Sequence, residues 1–72
     1  MKPRRQQILD YLYTYQKRNG FVPTYREIGE ACGLKSVASV NYQLQQLAAS
    51  GHIRIRLGQA RAITLLNRED SN

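Results

Sequence analysis

Asn41 and Gln45, with Tyr42 between them and Ser36, Ala38 and Ser39 just before, are the side chains here best suited to reading another molecule. An Asn or Gln amide pairs a donor with an acceptor, which matches the base edges exposed in a duplex groove. Asn41 is the expected two-point adenine contact, whereas Ala38 can offer only a methyl to thymine. Gln45 lies one turn beyond Asn41 on the same face. Tyr42 combines a ring that can cover apolar surface with a hydroxyl that can reach phosphate. Cations flank this neutral set. Residues 33–66 contain Lys35, Arg54, Arg56 and Arg61 and not one carboxylate, so nothing there would repel a polyanion. With Arg26 and Gln59 they make up the expected phosphate-contacting group, Arg26, Lys35, Arg54, Arg56, Gln59 and Arg61.

Other chemistries find little support. His52 is the only histidine, and neither a carboxylate pair nor a second ligand accompanies it, so it reads as a solvated turn residue or a phosphate neighbour. A single cysteine, Cys32, excludes an internal disulfide framework and a cysteine-based zinc site. It reads as a small core residue. A glycine-rich phosphate loop and the aromatic sheet signature of RNA binders are both absent. No catalytic residue, metal, cofactor or small-molecule substrate is expected.

The elements that must position these residues are marked by turn signals. Pro3 can open a first helix, along which Ile8, Tyr11, Leu12 and Tyr15 recur at helical spacing, until Asn19-Gly20 stops it. Thr24-Tyr25-Arg26-Glu27 is a capping box, and Gly33 ends the short helix that follows, with Ile28, Ala31 and Cys32 as its apolar face. Ser36 caps a third helix running to about Ser50, with Val37, Val40, Leu44 and Leu47 as its core stripe. Its opposite face, from Ala38 to Gln46, is polar yet uncharged, which is unusual for an exposed helix. Beyond Gly51 the period changes to two. Ile53, Ile55 and Leu57 alternate with Arg54 and Arg56, Gly58-Gln59-Ala60 turns, and Ile63 and Leu65 return. This predicts a β-hairpin with its apolar side on the helices.

The chain has 72 residues, 42% apolar, with a formal net charge of +6. That is one small domain, expected over residues 1–66, followed by a fraying tail at 67–72. No apolar run is long enough to span a membrane, and the basic start does not lead into a signal-peptide core. The lone cysteine points to cytosolic residence. Three helices followed by a hairpin is the order of an α+β winged helix–turn–helix. In that arrangement the third helix lies in the major groove of double-stranded DNA and the second braces it.

Phe21-Val22-Pro23-Thr24-Tyr25-Arg26-Glu27-Ile28-Gly29-Glu30-Ala31-Cys32-Gly33-Leu34 resembles the second-helix motif of LexA-type SOS repressors, (Y/M)PPSxREIxxxxGL. The similarity continues through Ser36, Val40, Leu44, Leu47 and Gly51, then Ile53-Arg54 and Arg61-Ala62-Ile63 with Leu65. Arg5-Gln6-Gln7-Ile8-Leu9 is similar to the start of that family's first helix, so the resemblance covers residues 4–66. It implies base contacts from Ser36, Ala38, Ser39, Asn41 and Tyr42. It also implies a cytoplasmic, nucleoid-associated repressor from a bacterium or phage, bound as a homodimer to a palindromic operator. Residues 37, 38, 41 and 42 differ from those of the best-known members, so a different preferred sequence is expected. The family's Ser–Lys self-cleaving domain and Ala-Gly scissile bond have no counterpart among these residues. The alternative is a winged-helix protein-interaction module acting on a host repressor or RNA polymerase. Leu9 and Tyr13 on the first helix, or the hairpin edge, are the surfaces where two copies could meet, although Leu9 and Tyr13 are better read as flanking the core.

Overall fold

The computed structural model describes residues 3–66. The expected tail at 67–72 lies outside the described residues. In chain order the elements are α1 (Arg4–Asn19), α2 (Tyr25–Cys32), α3 (Val37–Ala49), β1 (Ile53–Ile55) and β2 (Ile63–Leu65). The two strands pair antiparallel, with Ile53 opposite Leu65, Arg54 opposite Thr64 and Ile55 opposite Ile63. This is the α+β winged helix–turn–helix order, with the hairpin as wing.

Local chemistry sets the helix ends. Pro3 stands before the first turn of α1, where its missing N–H costs nothing. At α2 the Glu27 N–H donates to Thr24 Oγ1 (3.2 Å), while the Thr24 N–H donates to Glu27 Oε1 (2.7 Å). Both halves of the capping box are therefore present. Gly33 ends α2 in the left-handed region at φ 74°, a conformation that glycine adopts without the Cβ penalty. The chain reverses there and enters α3 through Ser36, whose hydroxyl accepts the Ser39 N–H at 3.1 Å.

The core lies where the three helices and the wing converge. Ile8, Leu9 and Leu12 of α1, Ile28 of α2, and Val40, Leu44 and Leu47 of α3 meet Ile53 and Ile63 of the strands. The crossing of α2 on α3 depends on Gly29. A Cβ at that position would lie 3.0 Å from the Leu34 carbonyl oxygen and 3.4 Å from Val40 Cγ2. Two further bonds brace the arrangement. Arg4 Nη1 donates to the Cys32 carbonyl oxygen at the end of α2 (3.1 Å), where helix carbonyls lack partners and a cation is favoured. The Tyr13 hydroxyl donates to the Leu66 carbonyl oxygen (3.1 Å), holding the chain leaving the wing against α1.

Four apolar expectations change. Val37 is 61% exposed rather than part of the core stripe, because it borders an open groove between α2 and the start of α3 instead of a filled interior. Ala31 is exposed, and α2 buries Ile28 and Gly29 instead. Leu9 is itself a core residue. Leu57, expected on the inner side of the wing, is 90% exposed. Pairing ends at the Arg56 N–H to Ala62 carbonyl bond (2.7 Å), and Leu57 falls in the turn beyond it, where alternation no longer governs which side a residue faces.

Candidate nucleic-acid interface

The outer face of α3 presents Ala38, Ser39, Asn41, Tyr42 and Gln45 to solvent, with Ser36 exposed at the cap before them. No member of this set carries charge. Local bonds already constrain several of them. The Ser36 hydroxyl accepts the Ser39 N–H and donates to Ser39 Oγ at 3.1 Å, so Ser36 is engaged in the cap while the Ser39 hydroxyl retains its own proton to donate. Gln45 Nε2 approaches Asn41 Oδ1 at 3.5 Å, one turn apart along the helix. That long contact is weak, and it leaves the second lone pair of the Asn41 carbonyl and both its N–H groups available. Tyr42 stands largely in solvent at 61% exposure.

Three grooves bring the expected phosphate group beside this face. One of about 320 Å³, between α2 and the start of α3, is lined by Tyr25, Arg26, Lys35, Ser36 and Val37 among others. A second, of about 240 Å³ between α3 and the wing, brings Asn41 together with Arg56 and Gln59, again beside Tyr25. A third, of about 500 Å³, puts Gln45 beside Arg54 and Leu57. Arg26, Lys35, Arg54, Arg56 and Gln59 are all exposed. Amides and cations drawn from α2, α3 and the wing thus share one side of the molecule.

Arg61 is placed differently. Its Nη1 donates to the Val22 carbonyl oxygen (2.8 Å) and to Glu27 Oε1 (3.0 Å), and its guanidinium carbon sits 4.4 Å from the centre of the Phe21 ring. The guanidinium is therefore turned toward the entry of α2. The Glu27 carboxyl is held below its ordinary range, chiefly by the Thr24 N–H and then by Arg61, with partial burial opposing. Burial pushes the Cys32 thiol up, partly offset by Arg4. His52 serves through its backbone, donating to the Leu47 carbonyl and accepting from the Leu66 N–H, each at 3.0 Å. Among the described residues no group of three or more His, Cys, Asp or Glu side chains is placed to hold a metal ion, and no helix is long and apolar enough to cross a membrane.

The family model of the LexA DNA-binding domain matches residues 1–62. The chain belongs to that family. Over 67 residues it is 46% identical to the LexA repressor of Bifidobacterium adolescentis, covering 93% of this chain and 26% of that protein. The LexA repressor of Ruminiclostridium cellulolyticum is 42% identical over 65 residues, covering 90% of this chain and 30% of its own. That of a Geobacillus species is 41% identical over 71 residues, covering 99% and 34%. The chain spans about a quarter to a third of the length of these curated relatives.

The chain is thus a member of a DNA-binding domain family, and the face built from α2, α3 and the wing is its candidate interface. Two of its features escape a reading of local spacing. Tyr25, seen in sequence only as part of a capping box, is half-buried at the junction of two of the grooves. Glu27 serves the cap and also receives Arg61 from the wing, a partner with no periodic relation to it.

Proposed function

We propose that this chain is the operator-reading module of a LexA-type transcriptional repressor. On this reading α3 lies in the major groove, and two copies occupy the halves of a palindromic site. The supporting observation is the composition of one surface: an exposed, wholly uncharged α3 face bordered by Arg26, Lys35, Arg54 and Arg56, with no acid on α3 or the wing. Sequence-specific proteins divide their contacts in this way, with phosphate contacts fixing position and base contacts carrying specificity. Asn41, Gln45, Ser39, Tyr42, Ala38 and Ser36 are the base-side group. Arg26, Lys35, Arg54, Arg56 and Gln59 are the backbone-side group. A single module of this size buries only about 600–1,000 Å² on DNA. Pairing on adjacent half-sites raises affinity through effective concentration, which favours a dimeric complex.

Selection from a random duplex library at near-physiological salt, followed by sequencing, tests the reading. Two enriched half-sites at constant spacing are expected. Half-sites enriched singly would remove the dimer, and no enrichment by the folded protein would remove sequence recognition altogether. A protein-docking role on a host repressor or polymerase would then lead, with the 90% exposed Leu57 of the wing as its first anchor to test.

A further inference from the structure

Arg61 meets three groups around the entry and first turn of α2: it bonds to the Val22 carbonyl and to the Glu27 carboxylate, and its guanidinium lies over the Phe21 ring, with Tyr15 of α1 close by. The same Glu27 Oε1 accepts the Thr24 N–H that closes the α2 cap. One carboxylate oxygen therefore joins the start of the bracing helix to the returning arm of the wing. Next to Arg61, the Ala62 carbonyl takes the Arg56 N–H at 2.7 Å, so the anchored arm also holds the backbone of a cation expected to meet phosphate.

We propose that Arg61 is a positioning residue for DNA binding rather than a phosphate contact. Together with Glu27 it fixes the wing against the helix–turn–helix, so that Arg54, Arg56 and Gln59 stand at a set distance from α3. This deepens the reading above and rests on it. The side chain suits the task for a reason that lysine cannot meet. A planar guanidinium can lie over the Phe21 ring while Nη1 gives its two hydrogens to two acceptors, whereas an ammonium, though it has three donors, has no plane to lay on the ring. Electrostatics makes the two roles separable. If Arg61 simply supplied positive potential, removing the nearby Glu27 charge would strengthen DNA binding. If Arg61 and Glu27 act as a unit, losing either weakens it.

The test compares the unaltered protein with R61K, R61Q, E27Q and the R61Q/E27Q double variant, all on one selected duplex across a salt series. Gln still completes a capping box, so E27Q keeps the end of α2 while losing the charge. The expected results are a loss of roughly five-fold in affinity for R61Q, no rescue in R61K, a weakened E27Q, and a double variant no worse than R61Q. A phosphate contact predicts otherwise: R61K near the unaltered affinity, R61Q with a salt slope lower by about one, and E27Q binding more tightly. That pattern would overturn the assignment.

Amide exchange of free protein supplies a readout that needs no DNA. The Arg56 N–H is expected to exchange at least several-fold faster in R61K and E27Q, while α1 amides hold their rates. Unchanged Arg56 exchange in both variants would overturn the anchoring even where affinity falls. Faster exchange in a chain that binds no duplex would leave the anchor standing and discard its DNA role, so the two failures are told apart.

Discussion

Asn41 has a free carbonyl lone pair and its N–H groups on the exposed face of α3, with Gln45 Nε2 3.5 Å from the same carbonyl. Replacing Asn41 by Ala is expected to relax preference at one base position and to cost about 1–3 kcal/mol on the preferred duplex, read by repeating the selection with the variant. Unaltered selectivity would take Asn41 off the reading face. Arg56 gives the opposite signature. Arg56→Ala should weaken binding to all duplexes alike and lower the salt slope by about one, measured by titration from low to moderate salt. Glu27 carries a pH dependence. Its carboxyl binds protons less readily in the folded chain than in the unfolded one, chiefly because of the Thr24 N–H and then Arg61. The stability this confers is complete above the unfolded pKa of about 4.3 and is lost as pH falls through the lower folded value. E27Q should therefore flatten the acid limb of a thermal-stability profile below about pH 4.5. An unchanged acid limb would mean that Glu27 confers no pH-dependent stability.

The crossing of α2 on α3 turns on the absence of a side chain at Gly29. Alanine there gains helix propensity of up to about 1 kcal/mol but places a Cβ against a backbone carbonyl that cannot easily move. Leu34 is held in place by its own N–H to the Gly29 carbonyl at 2.9 Å. Overpacking of this kind costs about 1–3 kcal/mol, so Gly29→Ala is expected to lower the melting temperature. A higher one would mean that the turn gives way. The helices and their order are legible in the sequence because their signals are local: Thr24 with Glu27, Ser36 with Ser39, and a glycine after α1 and α2. What spacing cannot supply is the extent of cover. Val37 continues the Val40–Leu44–Leu47 stripe and Leu57 continues the Ile53–Ile55 alternation, yet both lie past the point where another element packs on them. Arg61 is a different case. Its type and position in an acid-free stretch suggest phosphate, and only the folded chain brings Phe21, Val22 and Glu27 beneath it.

At the scale of the whole molecule one core serves every element. A chain of this length has stability on the order of 4–11 kcal/mol, so no part of the interface is insulated from a defect in the centre. Leu44 is fully buried between the helices and the wing. Leu44→Ala is expected to cost about 2–5 kcal/mol, enough to bring denaturant midpoint and DNA affinity down together when binding is measured near room temperature. Full affinity with a lowered midpoint would show that reserve stability exceeds this loss.

The neutral face of α3 has a consequence for how a site is found. Cations at the rim hold a duplex of any sequence, while amides and hydroxyls on α3 make no strong demand on the wrong bases and stay hydrated. A protein so divided can travel along DNA while held by its edges, and it halts only where the bases match. On the proposed function, speed of search would belong to Arg26, Lys35, Arg54 and Arg56, and the decision to stop to side chains that carry no charge.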